Sequence, residues 1–335
     1  MSSSTISICI PTYNGEKFIS RCIESCLHQT YSPVEILICD DGSSDKTITI
    51  CKDYQQKDAR IKLIVHQTNL GLVSNWNACI EHAKGEWIKF LFQDDFMEPD
   101  CLETFVGYIK PETELLVSKR SFVLPEHADE KIKRYYTSVV RTVENLNLAQ
   151  ESGFIPAEQI SRAAVENMCM NFIGEPSLTM FRKSVINKTG FFNNNLAQIC
   201  DLEFLLRVSS NFGLTYIPKQ ICHFRIHAQS ATSVNLLSKN YALMHLDTII
   251  LARQLLFDRG YEKLRQSLSS GLLFKLQKYF SVRTYESYRE AKGNKADRKL
   301  FNDVAERFPE IKSAAAASFA TKAAYCLILL RRKLR

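Results

Sequence analysis

The sequence predicts an α/β fold: a sheet with helices on both faces through residue 235, then an all-helical extension over 236–335. Three observations carry this. Strand-like and helix-like apolar periods alternate as β-α-β-α-β-α-β up to Asp95, the order that builds parallel sheets. The first, second and fourth strands end in polar clusters, which gathers ligand-binding groups along the carboxyl edge of the sheet. From Leu236 onward nearly every window has helical spacing.

Each element follows from its residues. Thr5–Ile10 is an apolar strand closed by Pro11-Thr-Tyr-Asn-Gly15, and Phe18, Ile19, Cys22, Ile23, Cys26 and Leu27 then recur at helical spacing. Val34–Cys39 is a second strand that runs into Asp40-Asp-Gly-Ser-Ser-Asp45, turn formers followed by N-cap candidates for a helix over 45–57. Ile61–Val65 is a third strand. Asn69-Leu-Gly71 leads into a helix that reaches Ala83 and stops at Gly85. The fourth strand is Trp87-Ile-Lys-Phe-Leu-Phe-Gln-Asp-Asp95, an apolar run broken once by Lys89 and ended by two adjacent carboxylates. Those carboxylates repel each other unless a cation or a polar ligand relieves them.

Beyond it come a helix over 99–109, a strand at 115–117, and a segment, 118–155, with mixed charge and no firm period, read as a variable insertion on the acceptor side. A helix over 156–168, a turn at Asn171–Ser177 and a strand at 178–181 follow. The next helix opens at Asp201 with Asp201 and Glu203 in its first turn, where negative charge is favoured. Strands at 214–217 and 222–227 complete the α/β part, and the extension reads as helices over 236–258, 261–280, 284–291, 296–307 and 311–333.

Charge is uneven. Residues 251–335 hold 19 Lys and Arg against 8 Asp and Glu, a net +11, so the remaining residues carry −4 of the total +7. A mildly acidic body with a basic tail argues against nucleic acid as the partner. The apolar and then basic end, Tyr325–Arg335, suits contact with an anionic membrane surface. No run of 18 apolar residues appears, and Met-Ser-Ser-Ser-Thr lacks the marks of a signal peptide. With eleven scattered cysteines and no metal-type Cys-x-x-Cys, the expectation is a cytoplasmic protein with reduced thiols, peripheral at most on the inner membrane face.

Ser7–Gly15, Gln29-Thr-Tyr31, Val34–Asp45, Asn69-Leu-Gly71, Ala83-Lys-Gly85, Phe90–Asp95, Gly174–Ser177, Asp201–Arg207 and Phe224-Arg-Ile-His227 stand in an order and spacing that resembles the family 2 glycosyltransferases. The resemblance covers residues 5–235. It implies a GT-A fold, a Rossmann-like mixed sheet flanked by helices, and inverting transfer of a sugar from a nucleotide diphosphate donor to a glycan or lipid-linked hydroxyl, usually with Mn²⁺ or Mg²⁺.

The resemblance assigns the parts. Pro11, Thr12, Tyr13 and Glu16 are expected against the nucleotide, with Tyr13 offering a stacking face and Asp41 or Asp40 accepting from the imide N–H of a base. Asn77 is expected close to the nucleotide. Asp95 is expected as direct metal ligand, Asp94 on the ribose or a metal-bound water, and His227 in the metal site or on the diphosphate. Phe92 departs from the pattern, because many relatives carry an acid there. Asp201 matches the general base, while Glu175 and Glu203 are candidates for the acceptor side. The missing acid also motivates a rival reading, a nucleotide-binding scaffold without turnover. A sugar nucleotidyltransferase ranks lower, since its Gly-rich basic loop after the first strand is absent.

Overall fold

The computed structural model describes residues 5–136, 140–168, 170–230, 241–316, 321, 322, 324 and 325. The alternating first part forms β1 (Ile6–Thr12), α1 (Ile19–Leu27), β2 (Val34–Asp40), α2 (Thr47–Lys57), β3 (Ile61–Val65), α3 (Leu72–His82) and β4 (Trp87–Phe90). β1 pairs in parallel with β2 and β4, and β2 with β3, as the alternation requires. Both faces are buried. Ile6, Ile8 and Ile10 of β1 meet Ile19, Cys22 and Ile23 of α1 on one side. Cys9 and Cys39 meet Trp76, Cys79 and Ile80 of α3 on the other.

The strand expected to run to Asp95 stops at Phe90. The chain then turns, with the Asp95 N–H donating to the Phe92 carbonyl at 2.9 Å, before β5 (Phe96–Met97). Lys89 is fully buried inside β4. Its ammonium donates to the Phe90 carbonyl at 2.7 Å and to the Ser177 carbonyl, so a charge in a core strand is satisfied by backbone oxygens.

The middle of the chain gives α4 (Cys101–Gly107), β6 (Leu115–Ser118), β7 (Phe122–Val123), α5 (Glu130–Arg134), β8 (Gly153–Ile155), α6 (Ala157–Glu166), β9 (Thr179–Arg182), α7 (Val185–Thr189), α8 (Cys200–Phe212), β10 (Leu214–Ile217) and β11 (Cys222–Arg225). The sheet order is β3-β2-β1-β4-β9-β6-β10-β8, with β5-β11-β7 as a small second sheet. The main sheet is mixed: β9 lies antiparallel between β4 and β6, and β8 is antiparallel on the edge. The 118–155 segment is thus partly built into both sheets, through β7 and β8.

The extension holds α9 (Asp247–Phe257), α10 (Glu262–Ser267), α11 (Ser270–Ala291), α12 (Lys295–Arg307) and α13 (Pro309–Ala315). The break expected at 281–283 does not occur; α11 runs through it unbroken. Leu251, Leu255, Leu276 and Ile311 share one apolar cluster with Phe204 and Leu205 of α8, so the extension packs directly on the α/β body. Among the described residues, no helix is long and apolar enough to cross a membrane. The basic stretch 326–335 lies outside the described residues. All nine described cysteines are free and buried.

Candidate active site

The carboxyl ends of β1, β2 and β4 open into a cleft of about 1310 Å³. Pro11, Thr12, Tyr13, Glu16, Asp41, Asp94, Glu175, Asp201 and His227 all line it. Nine of the expected site residues therefore come together in one cavity from loops spread over more than two hundred positions.

The β1 turn is held by a neighbour that the sequence alone does not single out. Gln93 Oε1 accepts from the Tyr13 N–H at 2.9 Å, and Gln93 Nε2 donates to the Tyr13 carbonyl at 3.0 Å. A Cβ on Gly15 would collide with this amide, which explains the glycine there. Asn14 sits at φ 49°, a conformation asparagine tolerates. It bridges to the next loop, its N–H donating to Ser43 Oγ at 2.8 Å and its Oδ1 accepting from the Ser44 N–H at 2.9 Å. Tyr13 is left 49% exposed, a free ring face on a fixed backbone.

The choice between Asp40 and Asp41 is resolved by orientation. Asp40 is buried and accepts from Thr12 Oγ1 at 2.8 Å and from the Ser43 N–H at 2.8 Å, so it fastens the strand ends and does not line the cleft. Asp41 accepts from the N–H groups of Leu70 at 2.6 Å and Gly71 at 3.0 Å. Each carboxylate oxygen keeps a lone pair for a ligand.

Three expectations are corrected. Asn77 is turned into the core, where its amide is spent on Phe192: Nδ2 donates to the carbonyl at 2.9 Å and Oδ1 accepts from the N–H at 3.0 Å. Leu72, Asn75 and Trp76 of α3 line the cleft instead, and Asn75 Nδ2 donates to the Cys39 carbonyl at 3.0 Å. Glu203 is fully buried and pairs with Arg207, Nε to Oε1 at 2.8 Å and Nη2 to Oε2 at 3.0 Å, with the Tyr261 hydroxyl 3.0 Å from Oε1. It has no access to an acceptor. Asp95 is also buried and is not among the residues that line the cleft, with Oδ1 accepting the Arg225 N–H at 2.9 Å. Burial, then the neighbouring Asp94, push its carboxyl well above the usual carboxylate range.

Asp94 takes the cleft-facing place instead. Its Oδ2 lies 2.8 Å from His227 Nε2, an oxygen and a nitrogen donor side by side on the wall. Arg225 braces the pair from behind, its Nε donating to the Asp94 carbonyl at 3.0 Å and its guanidinium lying over the Phe18 and Phe96 rings. Phe92, where an acid was expected, stacks on Trp76 at 4.7 Å between centroids.

On the other wall, Asp201 sits in the first turn of α8, Oδ1 accepting from the Leu202 N–H at 2.7 Å. Burial pushes its carboxyl up to about 7; the Leu202 N–H opposes this, Glu175 adds to it, and Arg120 draws it back. Arg120 is a second residue not singled out by the sequence. Its Nε donates to Glu175 Oε2 at 3.2 Å and its Nη1 to the Asn171 carbonyl at 3.1 Å.

The family model for glycosyl transferase family 2 matches residues 7–157. A glycosyltransferase of Haemophilus influenzae is 32% identical over 178 residues, spanning 53% of this chain and 68% of the relative. The chain belongs to the family 2 glycosyltransferases. Among solved structures, S. aureus TarS in complex with UDP-GlcNAc superposes with a TM-score of 0.58 at 16% identity, covering 84% of this chain and 80% of that one. A Pyrobaculum calidifontis mannosyltransferase in complex with GDP-Man and Mn²⁺ gives 0.53 at 14% identity, covering 93% and 83%. This family 2 glycosyltransferase thus has the GT-A fold expected of it, followed by the packed helical extension.

Proposed function

We propose that the protein is an inverting enzyme that moves a sugar from a nucleotide diphosphate donor, of UDP or dTDP type, to a hydroxyl of a glycan or lipid-linked acceptor in cell-surface polysaccharide or lipopolysaccharide synthesis. The observation that carries the reading is Asp201, a carboxyl held at about 7 on the wall of the cleft that Tyr13, Asp41 and Asp94 also line. A base with that midpoint is half ionised near neutrality and strong enough to accept a hydroxyl proton as the bond forms.

Tyr13 stacks on the base and Asp41 accepts from its imide N–H. The acceptor oxygen attacks the anomeric carbon from the face opposite the diphosphate, the carbon–oxygen bond to the diphosphate breaks, and Asp201 takes the acceptor proton. The configuration inverts, and the nucleoside diphosphate leaves with the bonding electrons. Glu175, tied by Arg120, orients the acceptor.

The residues present fit a divalent ion. Asp94 and His227 offer an adjacent oxygen and nitrogen, and Mg²⁺ or Mn²⁺ is commonly held by few side chains plus substrate phosphates. Among the described residues no group of three metal-type side chains occurs. When bound, the ion supplies positive charge to the departing diphosphate. The +11 over residues 251–335 supports a cytoplasmic, peripheral position against anionic lipid, where a lipid-linked acceptor is met.

A panel of nucleotide sugars incubated with the protein, with and without Mn²⁺, tests this through nucleoside diphosphate release. Release is expected with a uridine or thymidine donor, lost in Asp201→Asn, and displaced to higher Mn²⁺ concentration in Asp94→Asn. Release untouched by both substitutions overturns the site; tight donor binding without turnover favours the scaffold reading.

A further inference from the structure

The start of α8 carries no capping side chain of its own. The carboxylate that serves it comes from the extension. Asp247, the first residue of α9, is buried, and its Oδ2 accepts from the N–H groups of Gln198 at 2.7 Å, Ile199 at 3.2 Å and Ala197 at 3.2 Å, while Oδ1 accepts from Ala197 at 3.1 Å. Ala197, Gln198 and Ile199 all line the cleft, and Asp201 follows two residues later.

We infer that Asp247 is a positioning residue for transfer: it fixes the 197–199 segment, and through it the carboxyl of Asp201, from outside the α/β body. This rests on Asp201 as the base. Three N–H groups converging on one carboxylate make an anion-binding turn that neutral side chains do not reproduce. The negative charge also faces the positive end of the α8 dipole. Burial raises the Asp247 carboxyl while the three N–H groups lower it, so ionised Asp247 is costly and held by those bonds. The extension grips α8 again further along, where the Tyr261 hydroxyl donates to the Glu203 carbonyl at 2.9 Å and Asn211 Nδ2 to the Gly260 carbonyl at 2.8 Å. A tilt of about 1 Å at a base can cost on the order of a hundredfold in rate, so a clasp at the mouth of this helix bears on chemistry.

The experiment compares the full chain with Asp247→Asn, Asp247→Glu, Asp201→Asn and Arg253→Ala. Arg253 pairs with Asp258 and Glu310 inside the extension and lies away from the cleft, so its loss controls for general loosening. Amide hydrogen exchange at 197–199, UDP binding and the kcat for nucleotide release are read on each. Asp247→Asn is expected to speed exchange at these amides and lower kcat at least tenfold with UDP affinity within twofold. Asp247→Glu should recover part of kcat, and Arg253→Ala should leave kcat within twofold. Unchanged exchange at 197–199 overturns the proposal. So does normal kcat despite faster exchange, or an equal kcat loss in Arg253→Ala. Full activity in Asp201→Asn overturns the base assignment instead, and the exchange and kcat of Asp247→Asn still decide the clasp.

Discussion

Replacing Asp201 with asparagine should abolish transfer and, at neutral to alkaline pH, make the protein more stable. The side chain keeps its size, and its Oδ1 can still accept the Leu202 N–H. What disappears is a charge that the cleft wall disfavours. An aspartate normally titrates at 3.8, and here the midpoint stands near 7. At about 1.4 kcal/mol per tenfold, the ionised form is penalised by roughly 4 kcal/mol. Because the folded state binds the proton more tightly than the unfolded chain, that penalty is absent below 3.8, grows as pH rises between 3.8 and 7, and is complete above 7. Thermal unfolding of wild type and Asp201→Asn at pH 8 should differ by roughly 5 °C in favour of the variant for a chain of this size. At pH 5 the gain should shrink to less than half. An equal gain at both values, or a less stable variant at pH 8, would refute the claim that burial of a charge sets the base strength.

Three other outcomes follow from the same geometry. The kcat/KM of the wild type should rise about tenfold between pH 6 and 8 with a midpoint near 7, and a flat profile would remove Asp201 from proton transfer. Glu203→Ala leaves Arg207 buried without its partner and should cost about 3–5 kcal/mol in urea unfolding; a loss below about 1 kcal/mol would contradict the structural role given to the pair. Gln93→Ala releases both ends of the Tyr13 peptide unit and should raise the donor KM about tenfold, equivalent to ~1.4 kcal/mol, with kcat at saturating donor near wild type. A donor KM within twofold would detach Gln93 from nucleotide binding.

Much of this is legible in the sequence alone. The first four strands and three helices are written in local periods of two and 3.6, and their turns carry the residues the backbone needs. The gathering of Tyr13, Asp41, Asp94, Asp201 and His227 in one cleft was legible through motif order. Side-chain direction was not. Asp94 and Asp95 are neighbours of the same type, and only the turn after Phe90 decides which one lines the cleft. Asn77 and Glu203 look like site residues because the polar groups that consume them, the Phe192 backbone and Arg207 with Tyr261, become neighbours only after packing. Gln93, Arg120 and Asp247 escape notice for the same reason: their partners lie 80, 55 and about 50 positions away. The antiparallel insertion of β9 is equally silent, since a four-residue strand carries no mark of its direction.

The union of α8 with the helical extension bears on how such enzymes can be recombined. Residue 235 looks like a seam between modules, yet a cut there would strand Glu203 and Arg207 without Tyr261 and bare the apolar side of Phe204 and Leu205. A chimera meant to exchange nucleotide preference should draw its crossover after β4, where the parallel strands β1, β2 and β4 that open into the cleft are already complete. The helix bearing Asp201 should then travel together with the extension helices packed on it, inherited as one block.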